Sequence, residues 1–229
     1  MNIIQTYKTA DIPHNYKPFA DSVKQHNPDW NYMFFSDEDI VTFFKIQAPQ
    51  YYETFCKLKY KIQQLDFFRY CAIYHYGGVY LDLDIMIHKS LNDIDLSKCM
   101  FPLESRKNSD EMLQRHNYHG LVGNYAFYAP KNDPFIKLLI DNVITPRVSE
   151  EDLTLAIQNF ERKGGSGITV YIYYTTGPVL VTQSYLDYGK NIHIAEPDTW
   201  ENTSFGNYGK HHAVGSWKTM TTLTQSTMK

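Results

Sequence analysis

The chain has 229 residues, of which 43% are hydrophobic and 21% are charged, and it contains no long basic run. These values predict a globular protein with a sizeable core, and the formal net charge of −3 gives no reason to expect a nucleic-acid partner. The three cysteines lack a Cys-x-x-Cys spacing, which indicates reduced thiols rather than a disulfide framework.

The start of the chain predicts a β-strand over residues 2–7 and no targeting segment. The first residues lack the positively charged region and the long apolar run of a signal peptide. No stretch of the sequence approaches the roughly 20 apolar residues that a transmembrane helix needs. We therefore expect a cytoplasmic protein without a transmembrane segment.

The next elements alternate between helix and strand. A helix is predicted from about Ile12 to His26, and a strand over residues 31–35 follows it. Ser36 and Asp39 have the spacing of a capping box, so they predict the start of a second helix. We interpret the acidic residues at this point as helix caps rather than as catalytic groups.

A helix and the glycines that follow it precede the most informative part of the chain. Apolar positions recur at helical spacing over residues 60–76, and Asp66 and Arg69 are neighbours on that helix. Gly77 and Gly78 come next, which predicts a point where the backbone turns or lets a ligand approach.

The residues after these glycines predict one continuous strand up to Ile87, whose side chains alternate between two faces. The apolar face carries Val79, Leu81, Leu83 and Ile85. The other face carries Tyr80, Asp82 and Asp84. Carboxylates are not buried without a partner, and a divalent cation such as Mg²⁺ or Mn²⁺ is the simplest one. The alternative is that both carboxylates simply face water.

The second half of the chain continues the alternation. Residues 120–129 predict a strand that contains Asn124. Asp133, Ser149 and Pro178 each mark the start of a predicted helix, because they have the residue types of helix caps and first turns.

Strands that alternate with helices predict an α/β fold with a mostly parallel central sheet flanked by helices. Ligands of such sheets bind beyond the carboxyl ends of the strands. We predict a single domain over residues 1–218. The Thr-rich residues 219–229 show no periodicity and are interpreted as a C-terminal tail.

Two blocks of the sequence resemble a known family. The first is Leu65-Asp66-Phe67-Phe68-Arg69-Tyr70 with Tyr76-Gly77-Gly78-Val79-Tyr80-Leu81-Asp82-Leu83-Asp84, and the second is His211-His212-Ala213-Val214-Gly215-Ser216-Trp217. They closely resemble the Asp-x-x-Arg…Gly-Gly-x-Tyr-x-Asp-x-Asp and His-x-x-x-Gly-Ser-Trp motifs of DXD-type glycosyltransferases. The most similar group is glycosyltransferase family 32, which includes yeast-type mannosyltransferases and bacterial capsular polysaccharide sugar transferases. The resemblance implies the GT-A nucleotide-sugar transferase fold.

The resemblance also implies a metal-dependent, retaining glycosyltransferase. Its donor would be a UDP- or GDP-linked sugar, and its acceptor a glycan, a lipid-linked sugar or a protein. The family's metal, Mn²⁺ or Mg²⁺, would be held by Asp84, Asp82 and His211. The catalytic residues would be Asp82, Asp84, Asp66 and Arg69. The nucleotide sugar would contact Thr6, Tyr7, Asp66, Arg69, Gly78, Tyr80, Asp82, Asn124, Ser216 and Trp217.

Two other functions stay open. Haloacid-dehalogenase-type phosphatases also have an apolar strand followed by Asp-x-Asp, but Met86 stands where they usually have Thr or Val. An inactive, glycan-binding transferase homologue is the second alternative, and the intact carboxylates and histidine of the motifs argue against it. We further predict that residues 205–217 fold over the bound donor and are mobile without it.

Overall fold

The computed structural model describes residues 1–105, 120–189, 192–196 and 203–214. The strands are β1 (Asn2–Thr6), β2 (Asn31–Phe35), β3 (Gly78–Leu81), β4 (Ile85–Ile87), β5 (Cys99–Pro102), β6 (Ala126–Ala129), β7 (Ile192–Ala195), β8 (Ser204–Phe205) and β9 (Gly209–His211). The α-helices are α1 (Lys17–His26), α2 (Asp37–Ile46), α3 (Tyr52–Lys57), α4 (Lys61–Tyr76), α5 (Pro134–Ile144), α6 (Glu150–Glu161), α7 (Gly167–Thr175) and α8 (Pro178–Tyr188). Short 3-10 turns lie at Pro49–Tyr51 and Leu91–Asp93.

The central sheet has six strands in the order β2-β1-β3-β6-β5-β7. β1 runs parallel to β2 and β3, and β5 runs parallel to β7, whereas β6 is antiparallel to both of its neighbours. Helices cover both faces: α4 and α5 pack against Ile4 and Tyr80, and α1 packs against Ile3 and Val79. This architecture confirms the predicted α/β fold with a mostly parallel sheet.

The two glycines before β3 are needed where the backbone passes close to other segments. Gly77 and Gly78 have φ angles of 67° and 112°, which a residue with a side chain rarely adopts. A Cβ on Gly78 would lie 2.2 Å from the backbone oxygen of Asn2, and one on Gly77 would lie 2.7 Å from the amide nitrogen of Lys131. Gly78 therefore lets β3 pack beside the start of β1. It does not line the cleft described below, which corrects its predicted contact with the nucleotide sugar.

The predicted continuous strand through the Asp-x-Asp motif is two strands in different sheets. β3 ends at Leu81, and the amide of Ile85 donates to the carbonyl of Asp82 at 3.1 Å, which closes a turn. β4 then enters a second, three-stranded sheet of order β4-β9-β8, whose pairs are antiparallel. Leu83 lies in the turn and packs against Tyr16 instead of continuing the apolar face of β3.

Other elements also differ from the sequence-based expectation. The strand predicted over residues 120–129 is shorter, so Asn124 lies before β6 rather than in it. Tyr80, expected on the polar face, is 1% exposed because its ring packs in the core. Helix α7 was not predicted at all. Within the described ranges, no helix has the length and apolar character needed to cross a membrane.

Candidate active site

A cleft of about 370 Å³ opens at the carboxyl ends of β1 and β3. This edge of the sheet is where α/β proteins bind their ligands. The predicted site residues that line it are Thr6, Tyr7, Asp66, Arg69, Tyr80, Asp82, Asp84, Asn124 and His211. Ser216 and Trp217 lie outside the described residues, as does the tail 219–229, so the predictions made for them stay predictions.

Asp82, Asp84 and His211 form a cluster at one side of the cleft, with one ligand atom from each within 4.8 Å of the others. The pairing of β4 with β9 places His211 opposite Ile85, directly after the Asp-x-Asp turn. His211 Nε2 lies 3.2 Å from Asp84 Oδ1, and the amide of Val214 donates to Asp84 Oδ2 at 2.8 Å. Sequence positions that are far apart therefore meet at one point, as the resemblance implies.

The cluster has the donors and the electrostatics of a cation site. Burial raises the pKa of Asp82 despite the opposing charge of Arg69. Burial also acts to raise the pKa of Asp84, but the hydrogen bond and charge of His211, together with backbone hydrogen bonds that include the one from Val214, outweigh it and the pKa is lowered. Burial acts to lower the pKa of His211, but the hydrogen bond and charge of Asp84, together with the charges of Asp82 and Glu104, outweigh it and the pKa is raised. Two carboxylates and an imidazole suit a divalent cation such as Mn²⁺, and the buried Nδ1 of His211 has no hydrogen-bond partner among the described residues.

Arg69 holds Asp82 in place from inside the protein. Its Nη2 lies 3.3 Å from Asp66 Oδ1 and also 3.3 Å from Asp82 Oδ1. Its Nη1 donates to the backbone oxygen of Asn124 at 2.6 Å. The guanidinium also lies 4.6 Å from the ring centre of Tyr80, whose hydroxyl donates to Asp82 Oδ1 at 2.9 Å. Asp82 is thus oriented by two separate donors, while 29% of its side chain is still exposed to the cleft.

Asp66 is deeply buried, at 3% exposure. Asn124 Nδ2 donates to its Oδ1 at 3.0 Å, and Thr176 Oγ1 donates to its Oδ2 at 2.8 Å. Burial raises the pKa of Asp66 to about 6, although Arg69 and both donors act in the opposite direction. The Asp-x-x-Arg pair is therefore part of a buried network in the wall of the cleft rather than a surface ion pair.

Two residues of the site were missed by the sequence analysis. Thr176 lies just before Pro178, the predicted start of α8, and no role was assigned to it; its partner Asp66 lies 110 positions away. Tyr125 stacks on His211, with ring centres 4.4 Å apart and an angle of 18° between the planes. Its hydroxyl lies 2.9 Å from the carbonyl oxygens of Leu103 and Ser204. No local sequence pattern marks Tyr125, because its role depends on the position of β9.

Comparison with known proteins agrees with this geometry. Residues 13–101 match the family described as "Glycosyltransferase sugar-binding region containing DXD motif". A mannosyl phosphorylinositol ceramide synthase of Saccharomyces cerevisiae is 38% identical over 47% of this chain and 27% of its own length. An inositol phosphoceramide mannosyltransferase of Schizosaccharomyces pombe is 36% identical over 45% of the chain and 33% of its own length. An initiation-specific α-1,6-mannosyltransferase of Candida albicans is 21% identical over 98% of the chain and 60% of its own length. The chain thus matches about a quarter to a third of the length of the first two relatives.

Solved structures extend the likeness to the fold. The glycosyltransferase PaToxG has a TM-score of 0.50 and 15% identity, covering 82% of this chain and 69% of that one. The UDP-bound glycosyltransferase domain of the YGT toxin has a TM-score of 0.50 and 10% identity, covering 89% and 80%. At these identities the likeness concerns the fold alone. Residues 13–101 therefore carry the DXD-containing sugar-binding region of glycosyltransferases on a GT-A fold, which confirms the resemblance to DXD-type glycosyltransferases.

Proposed function

We propose that this chain is a metal-dependent, retaining glycosyltransferase that moves a hexosyl group from a UDP- or GDP-linked sugar to a glycan, lipid-linked or protein acceptor. The observation that carries the proposal is the cluster of Asp82, Asp84 and His211 in a cleft at the carboxyl end of β3. The mannosyltransferase names of the relatives make mannose the first donor sugar to test. The two ceramide-modifying relatives make an inositol phosphoceramide lipid the first acceptor.

The metal site consists of Asp82, Asp84 and His211, which would hold Mn²⁺ or Mg²⁺. A divalent cation bound there would neutralise negative charge on the diphosphate leaving group. His211 would have to be neutral to act as a ligand, so metal binding would be favoured at a pH where the imidazole has lost its proton. Arg69 and Tyr80 keep Asp82 facing the cleft while this happens, and Tyr125 fixes the plane of the imidazole.

The donor is expected to lie along the carboxyl ends of the strands. Thr6 and Tyr7 follow the end of β1 and line the cleft, so they are placed to contact the nucleoside. Asp66, Arg69 and Asn124 line the next part of the cleft and are candidates for contacts with the transferred sugar. The polar atoms of these three residues already bond one another, so they present a rigid surface that loses little conformational entropy when it binds. Ser216 and Trp217 remain candidates for contacts with the diphosphate.

The proposal is tested with a panel of UDP- and GDP-sugars, including GDP-mannose, by scoring hydrolysis with Mn²⁺ and with EDTA. One donor should be hydrolysed with metal and not with EDTA, and Asp84→Asn should abolish that turnover. Glu53→Gln is the matched control, because Glu53 only forms an exposed i,i+4 pair with Lys57. A folded protein that binds sugars but turns over no donor would indicate the inactive, glycan-binding homologue. Release of phosphate from simple sugar phosphates would indicate the phosphatase.

A further inference from the structure

An ion pair lines the same cleft on the other side of β1 from the metal cluster. Lys61 Nζ lies 3.0 Å from Asp37 Oδ1, and the two side chains are 27% and 33% exposed. The pair joins the first residue of α2 to the first residue of α4. Both residues line the cleft, yet nothing in the metal chemistry uses them.

The position of Asp37 is not explained by helix capping. The cap of α2 is made by Ser36 and Asp39: Ser36 accepts from the amide of Asp39, and Asp39 Oδ2 accepts from the amide of Ser36. Asp37 takes no part in these bonds, and its Oδ2 has no hydrogen-bond partner among the residues that the structure describes. One acceptor atom of the pair is therefore free to bind a ligand in the cleft.

The strand order fixes how Asp37 and the metal cluster are related. β1 lies between β2 and β3, and all three are parallel, so their carboxyl ends meet at one edge. Asp37 follows the end of β2 and Asp82 follows the end of β3, which places them about two strand spacings, or ~10 Å, apart. A nucleoside diphosphate with its phosphates beside Asp82 and its ribose over Thr6 and Tyr7 would place its base beside Asp37 and Lys61, which line the same cleft.

We propose that Asp37 and Lys61 recognise a guanine base, so that the donor is a GDP-linked sugar. This inference rests on the proposed function and names the base that the cleft selects. The Watson–Crick edge of guanine offers an acceptor, O6, beside two donors, N1–H and the N2 amino group. The Lys61 ammonium donates to O6, and the two oxygens of Asp37 accept from N1–H and N2–H. Each carboxylate oxygen has two lone pairs, so the bond to Lys61 can be kept.

The same pair disfavours the other common bases. Uracil has one donor, N3–H, between two carbonyl oxygens, so one oxygen of Asp37 would face a carbonyl oxygen. Adenine would direct the lone pair of its N1 at the carboxylate. Both arrangements leave an acceptor opposite an acceptor in a partly buried site, which is the usual physical basis of rejection. Asp37 is therefore a specificity-determining residue for the donor.

Calorimetric titration with GDP, UDP and xanthosine diphosphate in the presence of Mn²⁺ tests the inference. The wild-type protein should bind GDP at least about tenfold more tightly than UDP, because hydrogen bonds to a charged group are worth this much or more. Asp37→Asn should lose about 10- to 100-fold in affinity for GDP and should gain affinity for UDP, because its carboxamide can donate to the uracil carbonyl that the carboxylate of Asp37 disfavours. The same variant should gain affinity for xanthosine diphosphate, because the carboxamide can donate to the carbonyl that replaces the amino group of guanine.

Glu38→Gln is the matched control, since Glu38 lies beside Asp37 in the first turn of α2 but is exposed and does not line the cleft. The inference is overturned if wild type prefers UDP, if Asp37→Asn weakens GDP and UDP equally, or if Glu38→Gln has the same effect. Gain of xanthosine diphosphate binding also proves that the variant is folded. If neither GDP nor UDP binds with Mn²⁺ present, the proposed function itself fails, which is a different outcome.

Discussion

Thr176 donates a hydrogen bond to Asp66 at 2.8 Å across 110 positions of the sequence. Thr176 is fully buried between α7 and α8, and Asp66 is buried on α4. Asp66 contacts Arg69, and Arg69 contacts Asp82, each at 3.3 Å. A chain of buried polar contacts therefore links the start of α8 to Asp82, a proposed metal ligand that Thr176 does not touch.

Removing this hydrogen bond should lower turnover and change its pH dependence. Thr176→Val deletes a donor that lowers the pKa of Asp66, so that pKa should rise above its value of about 6. Protonated Asp66 attracts Arg69 less, and Asp82 loses part of its orientation. We expect turnover to fall about tenfold, in line with the loss of a hydrogen bond to a charged group. The acidic limb of the pH–rate profile should move to higher pH.

Thr176→Ser keeps the hydroxyl and is the control for this prediction. It should retain the wild-type pH profile, with only the stability cost of one lost methyl group. If Thr176→Val and Thr176→Ser lower the melting temperature equally and leave the acidic limb of the pH–rate profile unchanged, Thr176 is only a packing residue.

The stability of the fold should depend on pH through Asp66. Its pKa of about 6 in the folded protein is above its ordinary value of 3.8, so the folded state binds the proton more tightly than the unfolded state. Protonation of Asp66 therefore stabilises the folded state, fully below pH ~4 and no longer once the pH has risen through ~6. A pKa difference of about 2 corresponds to about 3 kcal/mol of unfolding free energy. Asp66→Asn should reduce the change in unfolding free energy between these two pH values. Urea titrations of both proteins at pH 4 and pH 6.5 would measure it, and equal changes in the two proteins would contradict the assignment.

Much of the fold could be predicted because its signals are local. The bounds of β2 and the capping box of Ser36 follow from residues within a few positions of each other, as does the start of α8 at Pro178. The helix that carries Asp66 and Arg69 was predicted for the same reason. The residues lining the cleft were placed by the resemblance to the family rather than by local pattern.

The rest depends on partners that are distant in sequence. The sequence did not show that the predicted strand over the Asp-x-Asp motif ends before Asp82, because this end follows from the pairing of β4 with β9. Gly78 was assigned to ligand contact, whereas the backbone of Asn2 explains it. Tyr125 and Thr176 have no local signature, since each acquires its role from a residue on another element.

Loss of Asp84 should weaken metal binding while leaving the fold intact. Asp84→Asn keeps the size of the side chain and removes the charge that pairs with His211. At pH 8 a histidine without this partner is neutral, so no uncompensated charge is left buried. We expect Mn²⁺ affinity to fall about 100-fold, since a metal ligand is lost, with little change in melting temperature.

The control is Asp93→Asn, because Asp93 forms an exposed pair with Lys89 and lies outside the cleft. It should bind Mn²⁺ as the wild type does. A large loss of melting temperature in Asp84→Asn, with Mn²⁺ affinity retained, would show that Asp84 is a structural residue and not a metal ligand.

The prediction that residues 205–217 form a mobile segment does not hold for the first part of that range. Phe205 is fully buried in the same core cluster as β3, and β9 is hydrogen-bonded to β4. These contacts hold the chain in place up to His211. We therefore expect Phe205→Ala to cost about 3–5 kcal/mol of unfolding free energy, as for other buried aromatic residues.

Two truncations should then separate the structural from the functional part of the C-terminal block. Deleting residues 205–229 removes Phe205 and the strand that carries His211, so both stability and Mn²⁺ binding should be lost. Deleting residues 215–229 keeps every described contact of β8 and β9 but removes Ser216 and Trp217, which are proposed to contact the diphosphate. The shorter deletion should keep the melting temperature within a few degrees and lower donor hydrolysis at least about tenfold, because hydrogen bonds to the leaving group are lost. Thermal melts and hydrolysis assays of the two proteins measure this, and unchanged hydrolysis in the shorter deletion would remove Ser216 and Trp217 from the active site.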